Sequence, residues 1–299
     1  SFSMYNPEFV KTHTEEDLKN QVSGTGPFII KSFLPNEYVY LEKNPNYWQE
    51  GKPYLDQIDL LIVADANTRF FMLESGEADF VRDISFIEEE ELASYEDIST
   101  ETAISTNAFH YSLHNQYPPL DIKEVRKAFN YAVDQFAMNE TIYGGRLRIA
   151  DEVFTTIPGM SGYHPQEPYP YDPEKAMEIF DKYNFVDVNG DGYRDWDGKD
   201  RTFTLFTRKG RKYGDIEMAE QLQAMLDAVG VKVQIEILDS ANYFTVLNQP
   251  FGEAPYYDMS LQSPGNFTAD KEYPLTSFVG CDAWPGKLYN YSHYCNEEL

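Results

Sequence analysis

Gly24-Thr25-Gly26-Pro27-Phe28-Ile29-Ile30 opens the stretch that decides how this chain folds, residues 24–81. Two glycines and a proline interrupt regular structure just before an apolar run. Residues 28–33 and 38–42 are rich in β-branched and aromatic side chains and read as two strands. Leu34-Pro35-Asn36-Glu37 lies between them, a proline–asparagine turn signal. A loop of breakers and aromatics follows, Asn44-Pro45-Asn46-Tyr47-Trp48 and then Gly51-Lys52-Pro53-Tyr54-Leu55. Residues 58–63 read as a third strand, with Ile58, Leu60 and Ile62 alternating with Asp59, Leu61 and Val63. Both faces are nearly apolar, which predicts a central strand covered on both sides. Residues 66–75 read as a helix with Asp65 as its cap, Gly76 beyond its end, and Phe70, Phe71 and Leu73 toward the core. Residues 79–81 are predicted to add a short strand.

Working outward, residues 15–21 read as a short helix capped by Thr14. Residues 84–95 read as a helix whose run Glu88-Glu89-Glu90-Glu91 makes a solvated face. Residues 121–143 form the clearest helix: Asp121 and Glu124 resemble a capping box, and Val125, Ala128, Phe129, Ala132, Val133 and Phe136 make one apolar stripe ended by Gly144-Gly145. After a proline- and tyrosine-rich loop at residues 151–172, Asp172-Pro173 starts another helix. Residues 202–207, 216–229 and 231–238 read as strand, helix and strand, a spacing that predicts a parallel pair joined by a right-handed crossover. Residues 257–262 read as a further strand.

The chain has 299 residues, room for one large or two medium domains, and its hydrophobic fraction of 42 % supports a packed core. A formal charge of −26 argues against nucleic-acid binding, because a phosphate backbone would be repelled. No run of 18 apolar residues predicts a transmembrane helix. Ser1-Phe2-Ser3-Met4-Tyr5 has no basic-then-apolar leader character.

Four words in residues 24–81 resemble one family: Gly24-Thr25-Gly26-Pro27-Phe28, Leu41-Glu42-Lys43-Asn44-Pro45-Asn46-Tyr47-Trp48, Gly51-Lys52-Pro53-Tyr54-Leu55-Asp56 and Leu73-Glu74-Ser75-Gly76-Glu77-Ala78-Asp79. In this order and spacing they are similar to the solute-binding proteins, family 5, of ABC importers, the oligopeptide, dipeptide and nickel group. Arg126, Ala128, Ala132, Val133 and Asp134 match a helix word of the same family. The resemblance implies an α/β, periplasmic-binding-protein-like fold (class II, cluster C type) with mixed sheets. It places residues 1–108 in a partial first lobe and residues 109–299 in a second lobe incomplete at its C-terminal end. It therefore implies an internal fragment, lacking N- and C-terminal parts of the first lobe, that binds its ligand weakly or not at all.

The implied function is the extracytoplasmic substrate-binding component of an ABC importer, in the periplasm or on the outer face of the cell membrane. It would capture a short peptide between two lobes and deliver it to the permease subunits, touching the membrane only through an N-terminal lipoprotein anchor absent from this chain. A nickel chelate or an oligosaccharide is the alternative ligand within the family. The family's aspartate that pairs with the peptide α-amino group falls at Asp270, after Ala269, with Asn266, Phe267 and Tyr111 beside it as ligand-binding residues. A buried ammonium needs such an anionic partner. The Gly-Trp that usually precedes it is replaced here by Ser263-Pro264-Gly265-Asn266-Phe267.

Cys281 and Cys295, 14 apart, read as two thiols in a cytosolic protein and as one disulfide in an exported one. Some dipeptide-binding family members close a loop here with a disulfide, so the resemblance implies the pair. Asp187, Asn189, Asp191 and Gly192 supply the first half of a calcium loop, and Asp195 stands at its ninth position. Its twelfth position, where a bidentate Glu belongs, is Gly198, so an Asx-rich turn is the competing reading. A calcium-stabilised structural module and a hydrolase are the readings outside the transport class. No Gly-x-Ser-x-Gly, Walker loop, His-Glu-x-x-His or Cys-x-x-Cys is present, so no enzyme and no cofactor are expected. The histidines, His13, His110, His114, His164 and His293, are dispersed.

Overall fold

The computed structural model describes residues 6–14, 17, 23–151, 166–209, 212–249, 257–265 and 272–296. The chain forms two compact units, Ser1–Asp79 and Phe80–Leu299.

The smaller unit starts with a short helix, α1 (Pro7–Thr12), capped by Asn6, whose side chain accepts from the Glu8 and Phe9 amides. Three antiparallel strands follow, β1 (Phe28–Leu34), β2 (Tyr38–Lys43) and β3 (Gln57–Leu61), in that spatial order. The β1–β2 turn forms where the Pro-Asn signal predicts it. Glu37 N–H donates to the Leu34 carbonyl at 3.1 Å, and Asn36 takes φ 64°, a left-handed value its side chain tolerates. In helix α2 (Ala66–Glu74) the Asp65 carboxylate accepts from the Thr68 amide at 2.8 Å, and Gly76 takes a positive φ beyond the end.

Three expectations for this unit are corrected. The third strand is at the sheet edge, not its centre, and Leu60 and Ile62 are about half exposed. Residues 79–81 carry no strand. Phe70 is buried, but Phe71, a 100° step around the helix, is exposed. Residues 15–16 and 18–21 of the first predicted helix lie outside the described residues.

In the larger unit, α3 (Phe86–Leu92) opens on a capping box in which Ser85 and Glu88 accept from each other's amides. Its acidic run faces outward, with Glu89 and Glu90 paired to Arg146. After β4 (His110–Leu113), the span predicted as one helix is two, α4 (Lys123–Tyr131) and α5 (Gln135–Tyr143). Asp134 causes the break: its carboxylate accepts from the Ala137 amide at 2.9 Å and so caps a new helix. Val125, Ala128, Phe129 and Ala132 are buried as the stripe predicts, but beyond the break Met138 and Ile142 turn inward and Phe136 is 62 % exposed. The start also differs from a capping box. Ile122 is the cap residue with no side-chain bond, and the Arg126 guanidinium donates to the Leu120 and Asp121 carbonyls instead.

Asp172 caps α6 (Pro173–Lys182) through the Lys175 amide at 2.9 Å. A small hairpin, β5 (Asp195–Trp196) and β6 (Lys199–Asp200), turns on Asp197-Gly198, both at positive φ. Strand β7 (Thr202–Arg208), helix α7 (Asp215–Asp227) and strand β8 (Lys232–Leu238) form the predicted parallel pair with its helical connection. Helix α8 (Ser240–Leu247) and strand β9 (Met259–Gln262) complete a four-stranded sheet in the order β4-β9-β7-β8. Strand β4 is antiparallel to β9, and the other pairs are parallel.

The period-2 alternation of β7 separates two cores. Phe203 and Leu205 face α4, α6 and α7 through Phe129, Phe180, Leu222 and Leu226. Phe206 faces Tyr243, Leu247, Tyr257 and Tyr291. The second core includes the C-terminal loop closed by the disulfide Cys281–Cys295. Its loop of about 15 residues is expected to contribute about 3 kcal/mol through the unfolded chain, so Cys281→Ser/Cys295→Ser should lower the unfolding free energy by that amount in urea denaturation.

Candidate functional site

A cavity of about 940 Å³ opens in the larger unit, bounded by residues 102–111 and Leu113, by α5 with the segment after it, and by the first turns of α7. Its floor is apolar, with Leu113 and Phe129 beside Met138, Met218, Leu222 and Met259. A concave, largely apolar space of this size buries most of a small ligand's surface. β4 sends Tyr111 into it because residues 109, 111 and 113 share one face of the strand.

The Tyr111 hydroxyl donates to the Met218 carbonyl on α7 at 2.7 Å. Tyr143, from the end of α5, donates to the Tyr213 carbonyl at 2.8 Å, and its ring lies 6.1 Å from that of Phe109. Burial is the main cause raising both phenols above the usual tyrosine range. They stay neutral and brace the wall as donors. At the rim, Asn139 holds the chain after α5 by a two-way bond with the Leu147 backbone, at 2.7 and 3.2 Å. Arg146 pairs with Glu89 and Glu90, Arg148 with Asp151 at 2.8 Å, and Lys212 with Asp83 at 3.4 Å. The floor thus offers burial and shape, the rim charges of both signs, and β9 runs past the cavity to Ser263 on its wall.

The acidic loop after α6 has its oxygens turned onto its own amides. Asp187 accepts from Gly190 N–H at 2.6 Å and Gly192 N–H at 2.9 Å, Asn189 from Asp191 N–H at 2.8 Å, and Asp191 from Tyr193 N–H at 2.9 Å. Asp195 is buried and accepts from Val188 N–H at 2.8 Å. Among the described residues no group of three or more His, Cys, Asp or Glu side chains is placed to hold a metal ion.

Residues 1–286 match the family described as bacterial extracellular solute-binding proteins, family 5 Middle. The chain belongs to that family. The glutathione-binding protein GsiB of Escherichia coli O6:K15:H31 is 26 % identical over 276 residues, 92 % of this chain and 51 % of that protein. The oligopeptide-binding protein AppA of Bacillus subtilis, solved with a nonapeptide, superposes with a TM-score of 0.85 at 22 % identity over 99 % of this chain and 58 % of AppA. NikA of Brucella suis, solved with Fe(III)-EDTA, gives a TM-score of 0.70 at 25 % identity over 85 % of this chain and 50 % of NikA. The chain spans about half the length of these relatives.

Of the residues the family-5 resemblance marks for ligand, Asp270, Asn266 and Phe267 lie outside the described residues. Tyr111 lies on the cavity wall with its hydroxyl engaged by the Met218 carbonyl. Cys281 and Cys295 are bonded to each other. What sequence reasoning misses is the convergence of Met138, Met218 and Met259, from two helices and a strand, on one floor. Each reads as an ordinary core residue, and only the sheet order brings them together.

Proposed function

We propose that this chain belongs to the extracytoplasmic substrate-binding component of an ABC importer, which captures a short peptide between two lobes and hands it to a membrane permease. The family match over residues 1–286 carries this reading. The relatives named for glutathione, itself a tripeptide, and for an oligopeptide favour a peptide as the solute. In this reading residues 1–108 contribute to the first lobe and residues 109–299 form the second. The mechanism is hinge closure driven by higher affinity for the closed form. Asp270 pairs with the peptide α-amino group, with Asn266, Phe267 and Tyr111 around it. The role is binding, and no step of it requires a nucleophile or a proton relay.

Mass spectrometry of small molecules released from the protein purified under native conditions tests the assignment. Recovery of short peptides is the expected result. A second reading, a metal chelate, is supported by the likeness to NikA; recovery of a chelate and no peptide would replace the first reading with the second.

For the acidic loop at Asp187, Asn189, Asp191 and Asp195, we favour a self-capped turn over a calcium site. Each of these four side chains already accepts a backbone N–H, and Asp187 accepts two. Thermal denaturation should therefore give the same midpoint with calcium as with chelator, and a midpoint raised by calcium would reinstate the metal.

A further inference from the structure

His114 and His293 are far apart in sequence and stack in the folded chain, ring centroids 4.2 Å apart and planes 20° from parallel. Both are buried. His114 lies just past β4, and His293 lies in the loop closed by Cys281–Cys295. The stack is flanked by a ladder joining the same two segments: Asn115 N–H donates to the Ser292 carbonyl at 2.7 Å, and the Gln116 side chain donates to the His293 carbonyl at 3.0 Å. Trp284, from inside the loop, sets its ring edge-on to His293 at 5.1 Å.

The protonation state follows from one contact. The Gln116 amide donates to Nδ1 of His114 at 3.3 Å, and an amide N–H can only donate, so that nitrogen carries a lone pair. A proton added there would point at another N–H and would put a positive charge against the face of a second imidazole. Tyr117, ring centroid 4.2 Å from His114, and Tyr257 at 5.5 Å are titratable groups that face the pair from the described residues. The Tyr257 hydroxyl donates to the Tyr291 carbonyl of the loop. The nearby carboxylate of Asp258, whose own carbonyl accepts from His114 N–H, is engaged by Arg201 and the Thr204 amide.

We infer that the His114–His293 stack is an acid-released latch, which holds the disulfide-closed loop against the end of β4 at neutral pH and lets it go on acidification. Burial holds His114 at about 3 and lowers His293 from the usual 6.5. Both groups therefore bind protons more readily in the open loop than in the closed one. Closure is fully favourable above about pH 6.5 and is lost progressively as pH falls toward the closed-state values. One proton taken up on opening changes the open population up to about tenfold per pH unit.

Hydrogen exchange of the protein, read by mass spectrometry and corrected for the intrinsic rate, tests this between about pH 7 and about pH 5. Residues 289–296 should lose protection by at least about tenfold relative to β7 over that range. His114→Phe keeps an aromatic ring on the stack without a titrating nitrogen and should remove at least half of that response on a logarithmic scale. His293→Asn tests the partner, because His293 holds φ 51°, which asparagine tolerates. Equal protection of the loop at both pH values in the unaltered protein overturns the latch. So does an undiminished acid response in either folded variant.

Discussion

Asp258→Ala is expected to lower the unfolding free energy by about 3–5 kcal/mol, the cost of removing one partner of a buried ion pair. Asp258 is 1 % exposed, and its carboxylate accepts from both terminal guanidinium nitrogens of Arg201 and from the Thr204 amide, the last at 2.8 Å. Its backbone carbonyl accepts from His114 N–H at 2.8 Å, and its own N–H donates to Thr204 at 3.0 Å. One residue thus ties the start of β9 to both β4 and β7. Removing the carboxylate leaves the Arg201 guanidinium, itself over the Phe203 ring at 4.3 Å, without its counter-charge. Arg201→Met should cost a similar amount, because it strands the carboxylate. The double variant Asp258→Ala/Arg201→Met should cost less than the two single changes summed, since neither charge is then left alone. Urea denaturation of the four proteins gives the coupling. A sum that is simply additive would show that the pair does not act as a unit.

The second large effect is Phe180→Ala, also expected to cost about 3–5 kcal/mol. Phe180 is fully buried at the centre of an aromatic nest, edge-on to Phe129 at 5.6 Å and to Phe185 at 5.4 Å, with Arg194 over its ring at 5.2 Å. Phe203 closes the ring of contacts, 5.5 Å from Phe129 and 5.9 Å from Phe185. Truncation leaves a cavity between α6 and the sheet that neighbours locked edge-to-face cannot fill. Phe136→Ala is the contrast. It removes the same side chain from a helix that reads equally apolar in sequence, but from an exposed position, and should change stability by no more than about 0.5 kcal/mol. Equal losses from the two variants would refute the placement of the break at Asp134.

The difference between these two phenylalanines shows where sequence stops being informative. Periodicity places Val125, Ala128 and Phe129 on one buried stripe, and they are buried. It carries the stripe through to Phe136 because aspartate is tolerated inside a helix. Whether Asp134 stays in the helix or caps a new one depends on what packs beneath it, and here it caps. In β3 the alternation finds a strand, but an apolar face does not say whether anything covers it, and the strand lies at a sheet edge. The site follows the same rule. Tyr111 reads in sequence as a ligand-binding candidate, yet that its hydroxyl reaches the Met218 carbonyl 107 residues later is a property of the sheet order.

By itself the sequence determined the family, through words of breakers and aromatics whose backbone demands are local, and it determined the β7–α7–β8 crossover, whose period changes from 2 to 3.6 and back. It determined the caps at Asp65 and Asp172, because a short acceptor before a helix acts within one turn. Only the tertiary structure decided which distant residues meet: Met138 with Met218 and Met259 on a cavity floor, Arg201 with Asp258, and His114 with His293. These pairings depend on strand order and on the path of long connections, and no local preference of the chain encodes them.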